Sequence, residues 1–268
     1  MRPLTRARAR ARTRPAPTDG APIAELIDVR KRFEGKEVLR GVSLSMQRGE
    51  TMVIMGGSGS GKTVTLRCMA GLIRPTSGQV LVFGERIDTL SEEALLPIRR
   101  RMGYVFQGAA LFDSLTVHEN VAYPLREHTS LGEAEIRERV LHFLSLVGLD
   151  DEVLKLLPSE LSGGMRKRVG IARALAQEPE MLLFDEPTAG LDPTNSRMVA
   201  DLIVQLRGGV CDTAVVVTHD VELTKTVADR VAILIDGRFA ALGPRDEVLA
   251  STEPAVQAFL AGEAKVTT

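Results

Sequence analysis

The chain has 268 residues, 44% of them hydrophobic and 26% charged, with a formal net charge of −1. That length suits one large domain, or a domain with a lobe set into it, and the composition is that of a globular protein. The longest apolar runs are strand-length, far short of the roughly 20 residues that cross a bilayer, so any membrane role would run through a partner.

The charge is unevenly placed. Residues 1–20 carry Arg2, Arg6, Arg8, Arg10, Arg12 and Arg14 against Asp19, a local +5 that leaves −6 on the remainder. Residues 1–22 lack apolar periodicity and read as a disordered basic arm. Such an arm attracts anionic lipid headgroups or nucleic acid, or it is a dispensable tail. No apolar segment follows the arginines, so a secretory signal is not expected.

The ordered part begins near Ala24. Residues 25–33 read as a strand, and 38–46 as two short strands around Gly41. Residues 51–55 are apolar after Thr51 and glycines follow, which suits a strand buried on both faces of a parallel sheet. A helix is expected over 61–72, ending before Pro75, and a strand over 79–83. From about 90 to 160 the pattern turns helical, with helices over 91–100, 117–123 and 131–147; in the last, Ile136, Val140, Leu141 and Leu144 fall at helical spacing. This segment reads as an inserted helical lobe. Strands return at 181–184, 214–217 and 231–235, alternating with helices over 195–207 and 220–227. That alternation predicts a parallel sheet with helices on both faces. Residues 244–260 read as two short helices. Cys68 and Cys211 lack C-x-x-C spacing and read as reduced packing residues of a cytosolic protein. The four histidines are scattered, so no structural metal is expected.

Three motifs carry chemistry. The first is Gly56, Gly57, Ser58, Gly59, Ser60, Gly61, Lys62, Thr63, a G-x-x-x-x-G-K-[ST] match between a buried strand and a helix. Glycines let successive N–H groups converge on a polyphosphate, and the helix start adds its positive dipole end. Lys62 suits the β and γ phosphates, and the Thr63 hydroxyl suits Mg²⁺. The second is the apolar run 181–184 ending in Asp185 and Glu186, two carboxylates at the carboxyl end of a strand, where parallel sheets bind ligands. Asp185 suits Mg²⁺ and Glu186 suits polarising a water. The third is Leu161-Ser162-Gly163-Gly164-Met165, a second glycine-led helix start with a hydroxyl. Alone it is weak evidence for another anion site.

Taken in order, these segments resemble an ABC transporter ATPase over nearly all of residues 24–245. The resemblance implies an α/β fold: a P-loop NTPase core (parallel sheet with flanking helices) plus an antiparallel β subdomain and an inserted helical lobe. The implied ATPase domain spans 23–245, with the helical subdomain at about 90–160, the basic arm at 1–22 and a C-terminal helical tail at 246–268. In that family the signature, here Ser162, Gly163 and Gly164, touches the nucleotide held by the opposite subunit. One chain has one phosphate loop and one signature, which implies a head-to-tail homodimer. Phe33 matches the aromatic that stacks on adenine; core packing is the lesser alternative for an aromatic strand residue. Gln107 matches the glutamine that senses Mg²⁺ and the γ-phosphate, residues 189–192 the loop that crosses the dimer, and His219 the switch histidine. The implied cofactors are ATP and Mg²⁺. Met165 stands where Gln is commoner and Gly57 where Pro is frequent; neither change removes a catalytic group.

Residues 108–129 and 157–168 further resemble the ATPases of Mla-type, MCE-linked lipid transporters. That implies an integral membrane permease as partner, a periplasmic MCE-type lipid-binding subunit, and a place on the cytoplasmic face of the inner membrane. Residues 111–123 would meet a coupling helix of the permease. No nucleic acid partner is expected. The rivals are the ABC ATPase of another importer or exporter, a soluble ABC ATPase, against which one cassette and no coiled-coil heptads count, and a non-catalytic regulator, against which Glu186 and His219 count.

Overall fold

The computed structural model describes residues 20–207 and 209–262. The arm over 1–22 falls mostly outside the described residues, as does the end of the tail over 246–268. Strands β1 (Ala24–Phe33) and β2 (Lys36–Met46) form an antiparallel hairpin. The two strands expected around Gly41 are one. Val29 pairs with Val42 and Arg30 with Arg40, so Gly41 is the extra residue of a bulge.

Strand β3 (Thr51–Met55) leads through the glycine-rich loop into α1 (Lys62–Met69). Strands β4 (Ser77–Val82) and β5 (Glu85–Arg86) follow. The expected strand over 79–83 stops at Val82 because Phe83 turns left-handed, at φ 55°. Then come α2 (Glu92–Arg99), β6 (Met102–Val105), α3 (Val117–His128) and α4 (Glu133–Leu146). After two short 3₁₀ turns, α5 (Gly163–Leu175) starts at the signature and β7 (Met181–Asp185) ends in the acidic pair. The remainder is α6 (Pro193–Arg207), β8 (Ala214–Thr218), α7 (Val221–Val227), β9 (Arg230–Ile235), β10 (Arg238–Pro244), α8 (Arg245–Leu249) and α9 (Pro254–Leu260). Strands β5, β6 and β10 were not anticipated. Among the described residues no helix is long and apolar enough to cross a membrane.

The strands make two sheets. One is antiparallel, in the order β2-β1-β4-β5; the other runs β10-β9-β3-β8-β7-β6 and is parallel except for β10 at its edge. The large sheet divides two apolar cores, because successive strand side chains point to opposite faces. Met52 and Ile54 join α1, α2 and the antiparallel sheet. Val53 and Met55 face the other way, toward the core that holds α3, α4, α5 and α6. Cys68 and Cys211 are both buried, and burial pushes the Cys68 thiol up to about 11.

The stretch 112–116 that leads into α3 is pinned by the side chain of Asn120. Asn120 is fully buried; its carbonyl oxygen accepts from Phe112 N at 2.8 Å. Its amide donates to Phe112 O, Leu115 O and Thr116 O at 3.0–3.1 Å. Thr116 and Glu119 close a capping box at the start of α3. The substitution Asn120→Leu keeps the branched shape but takes the partner from Phe112 N and Leu115 O, while Phe112 O and Thr116 O keep backbone donors. It should cost about 2–4 kcal/mol, read as a lowered urea midpoint at constant m-value; an unchanged midpoint would show that the loop holds without it.

Candidate functional site

Three parallel strands deliver their ends to one place. Met55 pairs with Thr218 across β3 and β8, and Asp185 with Val217 across β7 and β8. The loop 56–61, Glu186 and His219 therefore leave the sheet at one level, at its carboxyl edge. The glycine loop doubles back tightly: Ser60 N donates to Gly57 O, and Gly61 sits at φ 109° as the cap of α1. A Cβ on Gly61 would stand 2.7 Å from Leu39 Cδ2, so only glycine lets the loop lie against β2. The loop's Ser60 Oγ is buried with no hydrogen-bond partner among the described residues.

Lys62 is 7% exposed and its ammonium is central. It donates to Gly56 O at 2.9 Å and Gly57 O at 3.0 Å, and lies 3.2 Å from Glu186 Oε1. The other Glu186 oxygen accepts from His219 Nδ1 at 3.0 Å. A carboxylate only accepts, so this contact places an imidazole proton on Nδ1. Glu186 has a left-handed backbone, φ 48°, where a long side chain rarely rests. Its N–H donates to Val217 O at 2.9 Å, which fixes that turn. The strand thus ends at Asp185, two residues ahead of Pro187.

Beside this group, Thr63 Oγ1 donates to Asp185 Oδ1 at 2.8 Å, and the Tyr104 hydroxyl donates to Asp185 Oδ2 at 3.2 Å. Burial, reinforced by the Asp185 charge, raises the Tyr104 phenol far above its ordinary value, so it stays a donor. A hydroxyl and one carboxylate are the hard oxygen donors that suit a divalent ion completed by phosphates and water. Among the described residues no cluster of three or more His, Cys, Asp or Glu could cage a metal by itself.

The other residues singled out lie around this centre. Phe33 is 41% exposed with Lys31 Nζ 4.8 Å above its ring, so it is not a core aromatic. It sits at the turn of the hairpin whose Leu39 meets Gly61. Gln107 is exposed in the loop after β6, and its carbonyl accepts from the buried Lys167 ammonium. Ser162 and Gly163 are exposed at the start of α5, where Ser162 Oγ accepts from Met165 N at 3.2 Å. Their neighbours are the 189–195 segment: Leu191 lies against Gly163, and the Asn195 side chain packs on Gly164 so closely that it would have to move to admit a Cβ. The two glycine-led helix starts therefore have separate surroundings within one chain.

Sequence reasoning missed Tyr104, Lys167 and Asp220. Asp220 follows the histidine and caps α7, accepting from Leu223 N at 3.0 Å and from Thr188 Oγ1 at 3.1 Å. Thr218 Oγ1 accepts from Asp220 N. These bonds anchor the peptide that carries His219. Replacing the cap, Asp220→Ala, should lower stability by about 1 kcal/mol. Chemical denaturation measures this directly, and a gain in stability would contradict the assigned cap.

An ABC transporter family model matches residues 39–189. The chain is 40% identical over 250 residues to the probable ribonucleotide transport ATP-binding protein mkl of Mycobacterium tuberculosis (strain ATCC 25618 / H37Rv), covering 92% of this chain and 69% of that one. It is 41% identical over 245 residues to the methionine import ATP-binding protein MetN of Brucella abortus (strain 2308), covering 91% and 66%. Among solved structures, the dimeric post-hydrolysis state of the ATP-binding cassette MJ0796, bound to ADP and Pi, matches with a TM-score of 0.77 at 34% identity, over 83% of this chain and 98% of that one. The cbiO1 protein from Clostridium perfringens, part of the ABC transporter complex cbiONQ, matches with a TM-score of 0.78 at 31% identity, over 90% and 95%. With its phosphate loop and acidic pair at one sheet edge, the chain belongs to the ABC transporter ATP-binding family and is an ATP-hydrolysing cassette.

Proposed function

We propose that this chain powers a membrane permease as a head-to-tail homodimer, with each ATP held between Lys62 of one copy and Ser162 and Gly164 of the other. The observation that carries this reading is the hydrogen-bonded group of Lys62, Glu186 and His219, beside which the signature stands as an exposed helix start with Leu191 and Asn195 as its neighbours. A chain with two separate anion-binding helix starts needs a second copy to bring them together. The dimeric state of MJ0796 supports that arrangement.

The residues act as follows. The N–H groups of 56–61 and the Lys62 ammonium bind the phosphates, and the γ-phosphate competes with Glu186 for Lys62. Phe33 offers its exposed face to the base. Thr63 and Asp185, with Gln107 from its loop, would hold Mg²⁺, which neutralises phosphate charge when bound. Glu186, released from Lys62, polarises the attacking water, and His219 orients the γ-phosphate. Catalysis of this kind is positioning and charge stabilisation.

The variant Glu186→Gln should still bind ATP but hydrolyse it at least about 100-fold more slowly, and accumulate as a dimer in size-exclusion chromatography with ATP. Turnover within about twofold of the parent would remove Glu186 from the mechanism.

Residues 111–123 form the permease contact in this reading. Phe112 and Tyr123, each 44% exposed, stand with ring centroids 5.1 Å apart on the lobe surface. An exposed aromatic pair suits the apolar face of a docking helix. The cargo we propose is a phospholipid or another lipid moved between inner and outer membranes, with the ATPase on the cytoplasmic face and an MCE-type subunit beyond the membrane. The support is the Mla-like run of residues 108–129 and 157–168. A second reading, import of a small polar solute, is favoured by the names of the relatives above, which specify ribonucleotide and methionine. Purifying the chain with its permease into nanodiscs separates them. Stimulation of ATPase activity by phospholipid composition supports lipid cargo; stimulation by methionine or ribonucleotides replaces it with the second reading.

A further inference from the structure

Lys167 is the fifth residue of α5 and only 7% exposed. Helical spacing puts it on the buried stripe of Gly164, Ile171 and Ala174, where an apolar side chain would pack without desolvating a charge. Instead its ammonium donates to two backbone carbonyls from separate elements, Gln107 O and, at 3.3 Å, Glu186 O. Burial pulls its pKa below the ordinary lysine value, opposed by the nearby charges of Glu186 and Asp185. The same helix face grips the rest of the Gln107 loop. Gly170 lies against Ala109, and Arg173 donates to Ala109 O at 2.8 Å and Ala110 O at 2.7 Å. Ala109 and Ala110 are both left-handed, at φ 62° and 47°, so this loop keeps its shape only while it is held.

The Lys167 contact differs from those of Arg173 in reaching Glu186. That residue is then fixed at every polar group: its N–H by Val217, its carboxylate by Lys62 and His219, and its carbonyl by the Ala189 N–H of its own turn, at 3.2 Å, and by Lys167 from α5. We propose that Lys167 is a positioning residue for ATP hydrolysis, holding the backbones of Gln107 and Glu186 together and tying both to the helix that begins at Ser162. The proposal rests on the roles given to Gln107 and Glu186 above. Through this one ammonium, a shift of α5 against the sheet moves the water-polarising carboxylate and the γ-phosphate-sensing loop as a unit.

The test compares the full-length parent with Lys167→Met, which keeps the length and loses the donor, and Lys167→Gln, which keeps N–H donors on a shorter stem. The measurements are steady-state kcat and KM for MgATP, ATP affinity by equilibrium binding, and melting temperature. A misplacement of about 1 Å costs on the order of 100-fold in rate, so Lys167→Met should lower kcat by about 10- to 100-fold while ATP affinity stays within about twofold. Lys167→Gln should recover part of the loss. A kcat within about twofold of the parent in Lys167→Met, or a loss of ATP affinity in proportion to kcat, overturns the proposal. Should Lys167→Met fail to fold, Lys167→Gln decides alone: a several-fold fall in kcat supports the proposal and parental kcat overturns it. Glu186→Gln belongs in the same series. If it stalls while Lys167→Met turns over normally, only the role of Lys167 falls; if Glu186→Gln itself turns over normally, the underlying reading falls with it.

Discussion

Everything in the site depends on the register of three parallel strands. With Met55 opposite Thr218 and Val217 opposite Asp185, the glycine loop, Glu186 and His219 leave the sheet side by side. A slip of one residue turns every side chain of a strand to the opposite face. It would also carry Glu186 out of reach of Lys62. The sheet resists such slips because β3, β7 and β8 are buried throughout, and each residue already has a fitted neighbour on both faces. Core packing thus sets catalytic geometry without any core residue touching a nucleotide.

The central polar group follows from that register. Lys62 and Glu186 are both nearly enclosed, so each needs the other and the surrounding carbonyls to offset lost hydration. The strained backbone of Glu186 is tolerated for the same reason: its N–H, carbonyl and carboxylate are each tied to a different element. Loop 107–110 follows the same rule. Unfavourable local conformations persist where several packed elements converge to hold them.

Much of the fold was legible in the sequence, and the reasons differ by element. Strands at 51–55, 181–184 and 214–217 announce themselves as unbroken apolar runs, the mark of strands buried on both faces. The residues 56–63 and 185–186 could be read because each cluster is contiguous and directly follows such a strand. Strand β10 has no such signal; it is a half-exposed edge with alanine, glycine and a terminal proline. Strand β6 is only four residues long and hides inside the approach to Gln107. The bulge at Gly41 looked like a break because a glycine interrupts the alternation, whereas pairing with β1 continues across it. Tyr104, Asp220 and Lys167 work through contacts between distant segments. Lys167 was the most nearly readable: it is one basic residue of the run 166–168, and only its helical phase marks it as the inward one.

The large sheet also partitions the interior. The lobe helices α3 and α4 pack into the core on one face, while α1, which carries the phosphate loop, packs into the core on the other. The two apolar clusters share strands but exchange no side chains. Close-packed interiors transmit strain. A tilt of the lobe therefore loads the strands that the two cores share, and with them the Lys167, Glu186 and Lys62 contacts that lead from α5 to the phosphate loop. The sheet is a common wall, and a push on one side of it is felt at the nucleotide seat on the other.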